Sequence, residues 1–116
     1  MAVSHVLSTT TLAVTVVAAG ERWAEESSDS PIRFAVEDYL AAGAVLSYLR
    51  FDKSPEASVC EGAFLHSRNN LLHALRDSAS GRELVARGAI LDIEHSARLN
   101  LYDSAPVLRD GAFTRA

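Results

Sequence analysis

A single cysteine, Cys60, leaves this 116-residue chain no partner for an internal disulfide, which excludes a disulfide-framed fold and fits a reducing compartment. Cys60 stands in a helical pattern beside Val59 and ahead of Phe64, where packing is favoured over a nucleophilic role. Only one lysine is present, and the ten arginines are scattered along the chain. With a net charge of −4, the sequence offers no clustered basic face for nucleic acid. Long apolar runs are also lacking. The longest, TLAVTVVAAG, is too short to cross a bilayer. No Lys or Arg precedes Arg22, so that run lacks the positively charged start of a signal peptide, and a cytoplasmic location is expected. There is no GxSxG, no P-loop and no CxxC, and the four histidines show no HxxxH spacing. His66 and His73 share a helix face two turns apart, too far to grip one ion.

What is present is ordinary globular composition, 48% apolar and 22% charged, in a length that suits one domain spanning 1–116. Val14 to Ala19 is continuously apolar and rich in β-branched residues, which predicts a core strand covered on both faces, preceded by a helix or an irregular start. AEESSDSP then reads as a surface loop closed by Pro31. From Ile32 to Leu49 the pattern is helical, with Ile32, Val36, Leu40 and Ala44 on one face. Gly43 in that helix suggests close packing against a neighbour. Ser54 and Pro55 open a second helix, whose stripe of Phe64, Leu65, Leu71, Leu72 and Leu75 runs to about Arg76. In SGRELVARG, Ser80 and Glu83 read as a capping box and Gly88 as a left-handed stop. Asp92 caps a further helix to about Leu99, and APVLRDGAF predicts a strand, an Asp-Gly turn and a second strand. The expected class is α/β or α+β. Two short strands make no independent sheet, so a partner chain or a longer protein is expected to complete it.

Two places carry candidate chemistry. Glu37 and Asp38 are the only charges between Ala35 and Leu49. Carboxylates in an apolar helix need compensation, and hard oxygens of this kind suit Mg²⁺. Alternatively, both acids simply favour the positive end of the helix dipole. At the end of the expected strand, Gly20, Glu21 and Arg22 stand together. Glu21 could hold a metal and Arg22 a phosphate, or the two could form a surface ion pair.

VVAAGERW, AVEDYLAAGAVLSYL, SGRELVARG and PVLRDGAF, in that order, resemble the C-terminal half of 2-phosphosulfolactate phosphatases, from about Val14 to the end of the sequence. The resemblance implies an α/β three-layer sandwich of which this chain is the C-terminal part. It implies a Mg²⁺-dependent phosphatase that hydrolyses 2-phospho-3-sulfolactate to 3-sulfolactate and phosphate on the route to coenzyme M. Its partner would be a small phosphorylated sulfonate, with homo-oligomerisation open and neither nucleic acid nor membrane expected. The family's acidic pair and alanine–glycine step match Glu37, Asp38, Ala42 and Gly43, and its strand-end glycine matches Gly20. The implied site therefore has Arg22 and Asp38 as catalytic residues, Gly20 and Arg22 at the substrate, and Glu21, Glu37 and Asp38 at the metal. The family's Thr-Asn-Gly-Thr loop is absent, and in HVLSTTT His5 stands where the family has an acid and Ser8 where it has an arginine. The alternative is a catalytically silent remnant that serves in packing or oligomerisation.

Overall fold

The computed structural model describes residues 2–8, 13–23 and 30–116. Helix α1 (Ala2–Ser8) and a stretch at 13–20 without regular secondary structure precede β1 (Glu21–Arg22), which pairs with β2 (Ile32–Arg33). Then come α2 (Val36–Ser47), α3 (Pro55–Ser67), a 3₁₀ turn at Arg68–Asn70, α4 (Leu71–Asp77), α5 (Ala79–Ala86) and α6 (Ile90–Ser96). A hairpin of β3 (Pro106–Arg109) and β4 (Ala112–Arg115) follows. Helix and sheet are thus mixed, compatible with the α/β class. The strands described form two separate antiparallel pairs, one in register Glu21↔Arg33 and the other running from Pro106↔Arg115 to Arg109↔Ala112.

The core is helical. Leu40 and Ala44 of α2, Phe64 of α3, Leu71 and Leu75 of α4 and Ile93 of α6 form one buried cluster. This corrects the reading of Val14 to Ala19 as a core strand. That stretch has no strand assignment, and Val17 is 78% exposed. β-branched residues suit a pleated surface, but a strand exists only where a neighbour supplies the other half of the ladder. Val14 instead lines a shallow cavity with Leu46 and Leu49 at the end of α2.

The helix expected from Ile32 begins four residues later, because Ile32 and Arg33 pair with β1 and Ala35 is still extended at φ −114°. Within α2 the glycine reading holds. A Cβ on Gly43 would meet the Cys60 carbonyl and approach Phe64 Cβ to 2.8 Å, so α2 and α3 touch backbone to backbone. Cys60 is buried there, and its thiol donates to the Tyr39 carbonyl at 3.3 Å. Ser54 caps α3 as expected, accepting from the Ala57 amide. The single long stripe is broken by the 3₁₀ turn, which buries Phe64, Leu71 and Leu75 and leaves Leu65 and Leu72 partly exposed.

Helix α5 is capped by Ser78 rather than Ser80: the Ser78 hydroxyl accepts from the Gly81 amide at 3.0 Å, which leaves Glu83 to reach outward. Its other end follows the sequence. Gly88 sits at φ +78°, with the Ala89 amide on the Leu84 carbonyl and the Gly88 amide on the Val85 carbonyl. Asp92 lies inside the first turn of α6 rather than at its cap, and the helix stops at Ser96. In the last hairpin Asp110 and Gly111 both have positive φ, 49° and 79°, the tight turn that the Asp-Gly pair predicts. Among the described residues no helix is long and apolar enough to cross a membrane.

Candidate active site

Gly20 has a structural reason to be glycine. Its φ is +75°, and a Cβ there would lie 2.8 Å from the Arg33 carbonyl and 2.9 Å from Ile32 Cγ2. The chain can therefore press β1 against β2 only at a residue without a side chain. That approach sets Glu21 opposite Arg33. The Glu21 carboxylate accepts from Arg33 Nε at 3.2 Å and from Nη2 at 2.8 Å.

Arg33 does more. Its other edge takes Glu83 of α5 as a two-pronged pair, Nη1 and Nη2 each donating at 2.7 Å. Its guanidinium carbon lies 4.8 Å from the centre of the Trp23 ring, and the side chain is only 9% exposed. The hydrogen bonds that Arg33 donates to Glu83 and then to Glu21 hold it above its ordinary pKa, and Arg33 in turn pulls the Glu83 carboxyl below its own. Sequence reasoning missed Arg33. No local pattern signals it, since its partners Glu21 and Glu83 stand 12 and 50 residues away in sequence.

Arg22 points elsewhere, donating to the Ser30 carbonyl at 2.5 Å. The ion pair that the sequence offered between Glu21 and Arg22 is thus made with Arg33 instead.

The acidic pair lies in the first turn of α2, a helix whose N-cap, Ala35, offers no side-chain bond. Both residues are half-buried. Glu37 Oε2 accepts from the Ser80 hydroxyl at 3.0 Å, and Ser80 lies 3.3 Å from the Ser78 hydroxyl. Glu37 and Asp38 together line a cavity of about 360 Å³ whose apolar walls include Leu40, Phe64, Leu71 and Leu75. A smaller adjoining cavity of about 100 Å³ brings Glu37 together with Ser78, Ser80 and Ser96.

Helix α5 connects the two candidate places. Ser80, which meets Glu37, and Glu83, which meets Arg33, are one turn apart on the same helix face. Glu37 therefore meets the start of α5 directly, Glu21 reaches α5 only through Arg33 and Glu83, and Asp38 shares the larger cavity with Glu37. No three His, Cys, Asp or Glu side chains converge into a metal-binding group among the described residues. Two neighbouring carboxylates on one cavity wall nonetheless match the donors of an ion such as Mg²⁺, which takes one or two carboxylates and keeps several waters. Glu21 is engaged by Arg33.

Residues 1–111 match the family description 2-phosphosulpholactate phosphatase. The chain is 35% identical over 81 residues to a 2-phosphosulfolactate phosphatase of Methanothermobacter thermautotrophicus, covering 68% of this chain and 34% of that protein. It is 32% identical over 82 residues to a probable 2-phosphosulfolactate phosphatase of Thermotoga petrophila, covering 70% and 36%. The matched stretch therefore spans about a third of the length of these relatives. No solved structure gives a significant match.

Proposed function

The chain belongs to the 2-phosphosulpholactate phosphatase family, and from that membership we propose that it takes part in hydrolysing 2-phospho-3-sulfolactate to 3-sulfolactate and phosphate, a step toward coenzyme M. The observation that carries this reading is the family match across nearly the whole chain, which includes both acidic places of the site. The overall reaction cleaves a phosphate monoester: the phosphorus–ester oxygen bond breaks, an oxygen from water joins phosphorus, and a proton goes to the departing alkoxide. Such a reaction needs charge neutralised on the transferring oxygens.

This chain's residues divide that work. Glu37 and Asp38 would hold Mg²⁺ on the cavity wall, with the Ser80 hydroxyl fixing one oxygen of Glu37. The metal, when bound, supplies positive charge to the phosphoryl oxygens. Arg22 is exposed beside the glycine turn, and its planar guanidinium suits two phosphoryl or sulfonate oxygens. Gly20 keeps the backbone next to it free of a side chain. Asp38, the cavity acid beside Glu37, is the group assigned to proton transfer or attack. The surrounding domain is proposed to be a three-layer α/β sandwich in the cytoplasm.

A second reading, a silent remnant retained for packing or oligomerisation, is favoured by His5 and Ser8 standing where the family has an acid and an arginine. Phosphate release from 2-phospho-3-sulfolactate, measured with Mg²⁺ and again with EDTA, separates the two. Release that EDTA abolishes supports the phosphatase. Release indifferent to EDTA removes the metal from the mechanism, and no release favours the remnant.

A further inference from the structure

We infer that Arg33 is a positioning residue of this site, a clamp that sets the Gly20–Arg22 turn against the acidic pair. The inference rests on the phosphatase reading for its catalytic consequence but on geometry for the clamp itself. Arg33 binds Glu21 of β1 with one edge of its guanidinium and Glu83 of α5 with the other. Its guanidinium carbon lies over the Trp23 ring, 4.8 Å from the ring centre. Glu83 shares a helix face with Ser80, which holds Glu37 at 3.0 Å. The connection thus runs from Glu21 through Arg33 and Glu83 to Ser80 and Glu37, each contact a hydrogen bond or one turn of α5. The paired strands at this point are only two residues long, so the ladder alone gives the turn little rigidity.

Arg33 is the group that fits this task. A planar fork with five donors can serve two carboxylates at once, while an ammonium offers a single point charge. Because both partners neutralise it, Arg33 has no positive charge to spare for a substrate phosphate. Its role is to place Arg22 and Glu21, not to touch the reacting atoms.

The test uses the whole chain with Arg33→Ala and Arg33→Lys, and Arg109→Ala on β3 as a control. Backbone ¹⁵N relaxation reads the order of Gly20, Glu21 and Arg22, and phosphate release reads kcat and KM. In Arg33→Ala the order parameters of these three residues are expected to fall below about 0.6, while those of α2 to α4 stay at the wild-type level. The kcat is expected to drop roughly ten- to a hundred-fold, as for a misplaced catalytic group, with KM changing far less. Millimolar guanidinium should restore part of it, and Arg33→Lys should fall between alanine and wild type. The control should match wild type throughout. A turn as ordered in Arg33→Ala as in wild type overturns the clamp, whatever the activity. A disordered turn with unchanged kcat overturns its catalytic consequence. A wild-type chain that releases no phosphate defeats the phosphatase reading alone, and the relaxation data still decide the clamp.

Discussion

At the residue scale, Gly43→Ala should cost about 1–3 kcal/mol in denaturant unfolding, since the added methyl meets the Cys60 carbonyl backbone rather than a side chain that can move. Gly43 and Cys60 were legible in the sequence because a glycine and a small thiol within helical patterns signal close packing, and both lie at the α2–α3 contact. Arg33 was not legible, because its partners stand 12 and 50 residues away in sequence and no local pattern joins them. It does leave a signature in pH. The Glu83 carboxyl is held below its ordinary value of 4.5 by the Arg33 hydrogen bond. A depressed carboxyl stabilises the folded state above its ordinary value, and that contribution fades as pH falls below 4.5 and through the lower folded value. Unfolding free energy should therefore decline across this acid window in wild type. In Arg33→Ala the decline should be shallower, and an identical slope in denaturant melts at stepped pH would contradict the pairing.

At the scale of elements, the readable features were those whose causes lie within a few residues. Ser54 with Pro55, the Gly88 stop and the Asp110–Gly111 turn are all local geometry, and all three hold. The misread features depend on distant partners. Val14 to Ala19 has strand-forming residues but lacks a described ladder partner, while Ile32–Arg33 leaves a helical pattern because β1 lies opposite. The start of α5 was misread for a subtler reason: Ser80 was taken as the cap, whereas Ser78, two residues earlier, reaches the Gly81 amide. Ser78→Ala should cost about 1 kcal/mol and expose the Gly81 amide to hydrogen exchange. Ser80→Ala should leave that amide protected and release Glu37 instead. Exchange rates at Gly81 in the two variants distinguish the two caps directly.

At the scale of the whole molecule, the chain is looser than its length requires. Its radius of gyration is 15.4 Å, against roughly 13 Å for a compact chain of this size. No large side chain is fully buried among the described residues, and Ile32, Phe34 and Val17 lie exposed near the site. The acidic pair was legible because it interrupts an apolar helix, whereas its cavity was not, since Phe64, Leu71 and Leu75 come from other helices. We propose that Glu37 and Asp38 form a metal-holding wall in this chain. Melting the whole chain with and without Mg²⁺ tests it most directly, because an ion that binds only the folded state stabilises it by mass action. Mg²⁺ is expected to raise the melting temperature by several degrees, a rise that Glu37→Gln combined with Asp38→Asn abolishes, with metal-free stability unchanged or improved. A melting temperature indifferent to Mg²⁺, with each substitution costing about 0.3–1 kcal/mol through the helix dipole alone, would contradict it.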